Sequence, residues 1–430
     1  MLSTAISVLK NKEIRKKIFF TFMMLFIFRF GASIPVPGVD STALIAGVGD
    51  NSLLGLMNLL GGGNFERFSI FAMGVGPYIT SSIIIQILSM DVIPQLTELS
   101  KQGHVGRKVI DRYTRYLGVA LCMFQSATMT YAFDKSYGIL ESSTLSTYIF
   151  VSVVLTAGTM FLLWLGDQIS AKGIGNGVSM IIFAGIVSGF PGQFKSAYNA
   201  LCVAETAPAN GNILFGLYCL VFVVIIVLVT LMNNSNRQIP IQYPTSGVIK
   251  EETNSLTYLP LKINSASVMP VIFSSSVMVA PVTIASFFPT NSVTTWITKV
   301  LNFSSWHGLI LYVVLIILFA FFYTNIQVDP EKIAENLGKS GTYILGIRPG
   351  DETKKYLFTL LNRITVVGAI SLAFIAILPH AIPLLVPALK NTNVGLGGTG
   401  VIIVVGVAIE TVKSLTNQVT QKTYKGFLAH

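Results

Sequence analysis

The chain has 430 residues, of which 52% are hydrophobic and 11% charged, with a formal net charge of +10, and its mean hydropathy is +0.68. A typical soluble domain carries roughly 25% charged residues, and a water-soluble core of this size has no room for so much apolar surface, so the bilayer is the expected solvent. The cysteines Cys122, Cys202 and Cys219 make no disulfide framework, and His104, His307, His380 and His430 show no metal-ligand spacing, so neither a metal nor another cofactor is expected.

In chain order, an apolar run begins at Ile18 after a basic N-terminus. It resembles a signal peptide, but no small-residue cleavage site clearly follows, so 18–37 is read as a retained first span. Arg29 lies within it and is expected to snorkel or pair near the outer side. The stretch LLGLMNLLGGGNFERFSIF (53–71) is apolar but too short and too Gly-broken to span. It reads either as an interfacial segment or as a short re-entrant helix, since irregular backbone at membrane depth must be buried in protein or line a cavity. Further runs near the 20 residues that a span needs lie at 73–92, 115–134, 147–166, 174–192, 212–232, 268–288, 308–328, 363–386 and 396–416. The fold class is therefore an all-α polytopic membrane protein with ten transmembrane helices.

Lysine and arginine placement sets the orientation. With a cytoplasmic N-terminus, 23 of the 29 basic residues fall in inner segments, 5 in outer loops, and Arg29 in a span. Both termini are then cytoplasmic, and the basic balance needs no nucleic acid. The inner segments 233–267 and 329–362 are longer than antiparallel neighbours require, which suggests either a docking surface or passive solvated loops. Ten spans also allow two five-span halves, 1–200 and 201–430, in opposite orientations.

Pairs of aliphatic residues recur four apart, on one helix face. Val75 and Ile79 lie in MGVGPYITSSIIIQIL (73–88), and Val178 and Ile182 in KGIGNGVSMIIFAGI (172–186). Alone, such pairs are most often core or lipid-facing. The glycines of GIGNG allow a tight entry turn or close backbone approach. A secondary transporter is the main rival class, but it usually needs intramembrane acids, and Asp167 and Glu410 lie toward span ends. A membrane enzyme is not supported, because no nucleophile–base set, metal motif or phosphate loop appears.

Seven stretches carry a resemblance: IPVPGVD (34–40), GVGPYITSSIIIQ (74–86), GRKVIDRYTRY (106–116), WLGDQISAKGIGNGVSMIIFAGI (164–186), LPLKINSASVMPVIFSSS (259–276), NLGKSGTYILGIRPGDETKKY (336–356) and GGTGVIIVV (397–405). In order and through nearly the whole chain, they resemble the SecY family. The resemblance implies a protein-conducting channel, not an enzyme, built from two inverted five-helix halves around an hourglass pore in the bacterial plasma membrane. It would pass unfolded secretory chains and release membrane helices sideways through a gate of the second, third, seventh and eighth spans. The implied constriction ring is Val75, Ile79, Val178, Ile182, Ile272 and Ile403. The implied plug is 53–71, with Leu53, Leu54, Leu56, Met57, Leu59, Leu60, Gly61, Gly62 and Gly63. The polar gate residues would be Gln86, Gln125, Ser274, Ser275 and Ser276, with interhelical hydrogen bonds of about 0.6 to 2 kcal/mol each. Arg237, Arg348, Pro349 and Gly350 would meet the motor ATPase SecA or the ribosome. The other implied partners are SecE and SecG, signal peptides, nascent chains and the lipid bilayer. The 233–267 loop carries only Arg237, Lys250 and Lys262 against Glu251 and Glu252, a sparser basic cluster than many relatives have.

Overall fold

The computed structural model describes residues 11–40, 68–89, 92–203, 210–242, 257–285, 291–301, 305–385 and 394–427. In chain order its helices are α1 (Lys12–Gly31), α2 (Gly76–Leu88), α3 (Pro94–Lys101), α4 (His104–Tyr137), α5 (Leu145–Lys172), α6 (Gly177–Tyr198), α7 (Gly211–Asn234), α8 (Met269–Ala285), α9 (Ser292–Val300), α10 (Trp306–Gln327), α11 (Pro330–Lys339), α12 (Asp351–Leu385) and α13 (Val394–Phe427). Each of the ten expected spans coincides with a helix; α3, α9 and α11 are short connectors. Six stretches of described helix are long and apolar enough to cross a membrane on those grounds alone.

The departures have local causes. Helix α1 starts inside the charged KEIRKK segment, where Asn11 caps it by accepting from the Glu13 N–H at 3.1 Å. It ends at Gly31 rather than at 37, and Gly31 lets the Phe71 ring approach, since a Cβ there would lie 2.3 Å from it. Its buried stripe is Ile14, Thr21, Met24 and Phe28, while Phe19, Phe22, Phe26 and Phe30 lie exposed on the other side. That pattern fits one face on protein and one on lipid. Helix α2 has only 13 residues and covers about 20 Å of a ~30 Å hydrocarbon layer. The missing length is supplied by turns over Phe68–Val75, which are buried and joined to 34–36 by the bonds Val36 N–H to Phe68 O and Ile70 N–H to Ile34 O, both 3.0 Å.

The helix packing repeats. Helix α1 packs on α5 and α6, α2 on α4, α4 on α5, and α5 on α6. Later in the chain, α7 packs on α12 and α13, α8 on α10, α10 on α12, and α12 on α13. The second set is the first moved on by five spans. Among the long helices, two pairs chiefly join the sets: a broad contact of α6 with α13 and a narrow one of α2 with α8.

The helical class gains one element that the sequence reading left as loop. Strands β1 (Asn236–Gln242), β2 (Thr257–Lys262) and β3 (Tyr343–Ile344) form an antiparallel sheet in the order β2-β1-β3. Its apolar side chains Ile239, Ile241, Leu261 and Ile344 are buried with Ala334 of α11 and Leu357 and Leu361 of α12. The described parts of segments 233–267 and 329–362 are therefore joined around one small core.

Candidate functional site

The site is built where four helix starts or middles meet. Val75 precedes α2, and the Ile79 N–H donates to its carbonyl at 3.1 Å, so the two side chains stand one turn apart. Pro77 sits in the first turn, where its missing N–H costs nothing.

Val178 and Ile182 take equivalent places on α6. The Asn176 side chain caps that helix, accepting from the N–H groups of Val178 at 3.1 Å and Ser179 at 3.3 Å. Both expected roles of the GIGNG glycines are present. Gly175 adopts φ +71°, which makes the entry turn. A Cβ on Gly177 would lie 1.9 Å from the Gly166 carbonyl oxygen, so only glycine lets α6 start this close to α5. The Gly177 N–H donates to Ser170 Oγ at 2.8 Å, and the Ile174 N–H to Thr21 Oγ at 3.2 Å, which ties the turn to α5 and α1.

Ile272 stands near the start of α8 and Ile403 in α13. All six aliphatic residues belong to one apolar cluster. Val75, Ile182, Ile272 and Ile403 are buried within it, and the half-buried Ile79 and Val178 pack against it. They come from α2, α6, α8 and α13, the four helices through which the two packing sets touch. Aliphatic side chains in such a place offer no hydrogen-bond donor, acceptor or charge, and they exclude water when they close on one another.

The polar gate residues fall on α2, α4 and α8, but the expected interhelical bonds among them are not made. Ser274 Oγ donates to the Pro270 carbonyl at 2.7 Å, and Ser275 and Ser276 donate to the Ile272 carbonyl at 2.9 and 2.8 Å. Gln86 Nε2 donates to Ser82 Oγ, also on its own helix, at 3.1 Å. The reason is general: a hydroxyl in a helix reaches the carbonyl three or four residues back without a partner helix. Gln86 Oε1 is left buried with no hydrogen-bond partner. An unfilled acceptor of this kind costs about 1–3 kcal/mol, which loosens the contact it sits in. Gln125 is half-buried on α4. The plug residues Leu53, Leu54, Leu56, Met57, Leu59, Leu60, Gly61, Gly62 and Gly63 lie outside the described residues; the end of that stretch, Phe68–Phe71, is turn.

Arg348 is exposed between Gly346 (φ +80°) and Gly350 (φ +103°). Ile347 beside it packs into the small core of the sheet, and the Arg348 carbonyl accepts from Thr353 Oγ at 2.8 Å. Its backbone is thus held at both ends while Pro349 and Gly350 stand exposed at the tip. Arg237 is exposed on β1 opposite Leu261 of β2. Beside the tip lies a cavity of about 410 Å³ lined by Asp329, Glu331, Asp351, Lys354, Lys355 and Phe358. Burial raises the Asp329 carboxyl, but bonds from Lys332 and from the N–H groups of Glu331 and Lys332 outweigh it and leave its pKa lowered. Sequence reasoning missed this joined body; the alternation of Ile239 and Ile241 in NRQIPIQ was the available signal.

The charges near the spans are accounted for. Asp167 pairs with Arg115 at 2.8 Å, both about half exposed, across the ends of α4 and α5. Arg29 Nη1 donates to Ser188 Oγ on α6 at 3.2 Å. Among the described residues no group of three or more His, Cys, Asp or Glu is placed to hold a metal.

Comparison with known proteins fits this geometry. The SecY family model matches residues 69–412. The chain is 46% identical over 434 residues to the protein translocase subunit SecY of Staphylococcus epidermidis, covering 99% of each chain. A solved structure described as a protein conducting channel superposes with a TM-score of 0.65 at 16% identity, covering 95% of this chain and 93% of its own. Another, in which the plug domain of the SecY protein is described as stabilising the closed state of the translocation channel and maintaining a membrane seal, gives 0.63 at 17% identity over the same shares.

Proposed function

Because the chain belongs to the SecY family, we propose that six aliphatic residues within its main apolar core form the constriction through which an unfolded polypeptide crosses the membrane. The protein is a protein-conducting channel subunit with several membrane-spanning helices, and it is not an enzyme. The finer reading is as follows. Residues 1–200 and 201–430 are two halves, and both termini face the cytoplasm across the bacterial plasma membrane. Segment 53–71 is the plug. The narrow α2–α8 contact, flanked by α4 and α10, opens sideways to release membrane helices. The sheet body, with Arg237 and Arg348 exposed, receives SecA or the ribosome, while SecE and SecG complete the membrane complex.

One observation carries the reading: Val75, Ile79, Val178, Ile182, Ile272 and Ile403 all lie in the main apolar core, on or beside the four helices that join the two packing sets. A conduit must admit side chains of every kind and still stop ions. Aliphatic groups hold no guest strongly, and they dewet when empty.

The test replaces Ile79 and Ile182 together with Ser or with Leu, in vesicles holding the complex. Serine hydrates the constriction and is expected to raise resting ion conductance. Leucine preserves volume and apolarity and is expected to be mild. Equal resting conductance in the two variants removes these residues from the seal.

A further inference from the structure

Between β2 and α8 runs the turn Ile263–Val268, which connects the sheet body to the helix that carries Ile272. It is a short link with an unusual number of restraints. Asn264 is buried, and its Nδ2 donates to the Ser267 carbonyl at 2.9 Å and to Asn233 Oδ1, at the end of α7, at 3.4 Å. Ser267 holds φ +54°, a left-handed conformation that side-chain-bearing residues rarely adopt. The Asn264 bond to its carbonyl supports that conformation. The Ile263 N–H donates to the Ser235 carbonyl at 3.1 Å. Lys413 of α13 donates to the Asn233 carbonyl at 3.0 Å, which fills one of the acceptors that α7 leaves free at its end.

Two glycines tighten the grip. A Cβ on Gly368 of α12 would lie 2.5 Å from the Ile263 carbonyl oxygen, and one on Gly406 of α13 would lie 2.4 Å from Val268 Cγ1. The turn is thus wedged among α7, α12 and α13, all later helices of the same packing set. It does not hang between the sheet and α8 as a free hinge. Asn233 Nδ2 is buried with no hydrogen-bond partner, so the node has no surplus bonds.

We infer that Asn264, with Asn233 and Lys413, is a positioning latch that fixes the inner end of α8 to α7 and α13 and so biases the α2–α8 contact toward closure. The inference rests on the reading of that contact as the gate. With the latch intact, α8 moves against α2 only together with its own set of helices, or by swinging its far end. With the latch broken, the start of α8 and Ile272 gain freedom at the constriction, and the closed state loses its advantage.

The experiment reconstitutes wild-type protein and the variants Asn264→Ala, Lys413→Met and Lys413→Arg, with the partner subunit and the motor ATPase. Export is measured for a preprotein with an intact signal sequence and for one with a defective signal. The readout is the ratio of the two rates, which a channel that is merely less stable or less abundant does not change. For Asn264→Ala and Lys413→Met the ratio is expected to shift about tenfold toward the defective substrate, the factor associated with one buried hydrogen-bonding group. Lys413→Arg keeps a donor and is expected to retain the wild-type ratio. A wild-type ratio in Asn264→Ala, with the complex present at normal levels, overturns the latch. The Ile79→Ser/Ile182→Ser channel is the control. If it also shows a wild-type ratio and wild-type resting conductance, the constriction reading falls, and the latch falls with it. If the control opens and Asn264→Ala does not, only the latch fails.

Discussion

Replacing Gly177 by Ala puts the entry to the constriction under direct steric test. The added Cβ would stand 1.9 Å from the Gly166 carbonyl oxygen, 2.6 Å from its carbonyl carbon and 2.8 Å from its Cα. All three neighbours are backbone, so no side-chain rotation relieves the overlap. Carbon contacts normally settle near 3.5–4.0 Å, so the start of α6 must move away from α5 by more than an ångström. Overpacking of this kind typically costs about 1–3 kcal/mol, and a backbone-on-backbone clash belongs at the upper end. The shift also carries Val178 and Ile182, the next ring positions, out of register with Val75 and Ile79. Two readouts should therefore change together: a lower unfolding midpoint for the purified complex in detergent, and a higher resting ion conductance in vesicles. Gly192→Ala is the internal control, since the same helix offers nothing within 4 Å of a Cβ there. Helix propensity alone makes it neutral or up to about 1 kcal/mol stabilising. Matching midpoints and matching conductance for the two variants would refute the claim that close approach at Gly177 sets the ring.

Arg348→Glu is expected to leave membrane insertion and complex formation intact, because the side chain is exposed, and nearly to abolish ATP-driven export into vesicles; Arg348→Lys should be partly impaired, since a point charge replaces a planar fork. Wild-type export by Arg348→Glu would make this residue a charge on a turn. Asp329 caps α11 with its pKa lowered, so the stability it lends is present above the ordinary carboxylate range and is lost as pH falls through the lowered value. Protection factors at the first turn of α11, measured against the intrinsic exchange rate at each pH, should fall on acidification in wild type, whereas Asp329→Asn, which still caps, should show no such fall; Asp329→Ala should cost about 1 kcal/mol at neutral pH.

What the sequence disclosed follows from which forces are local. The spans were legible because bilayer solvation acts residue by residue, and the entry turn at Gly175 because backbone permissiveness belongs to a single residue. The helix ends were less legible. Helix α4 begins at His104 and α12 at Asp351, well before their apolar runs, because backbone hydrogen bonding continues into water. The serines of α8 misled for a related reason: the carbonyls that satisfy them lie in their own helix. The sheet was hidden because β1 pairs with Tyr343–Ile344, far along the chain, and a two-residue strand has no periodicity to detect. The latch at Asn264 was hidden too, since an asparagine in a loop usually means a turn, and only the approach of α7 and α13 makes it a junction.

The proposed constriction, implied by the family resemblance, falls on the helices through which the two packing sets meet. Helices α2 and α6 supply four of the six side chains; moved on by five spans they become α8 and α13, which supply the other two. Five is odd, so under the proposed division at residue 200 the same packing recurs with its membrane direction reversed. The axis relating two such halves lies in the plane of the membrane. A site formed where corresponding helices of the two halves meet, here with four side chains from one half and two from the other, would then lie near that axis and so near mid-depth. Helix α2, whose 13 residues cover about 20 Å, is short enough for its Val75 end to lie inside the hydrocarbon layer rather than at its far surface. At mid-depth water is scarcest on both sides, so under the proposed reading an aliphatic ring there would seal with the fewest residues, and parting α2 from α8 would break the seal and open the wall in one movement.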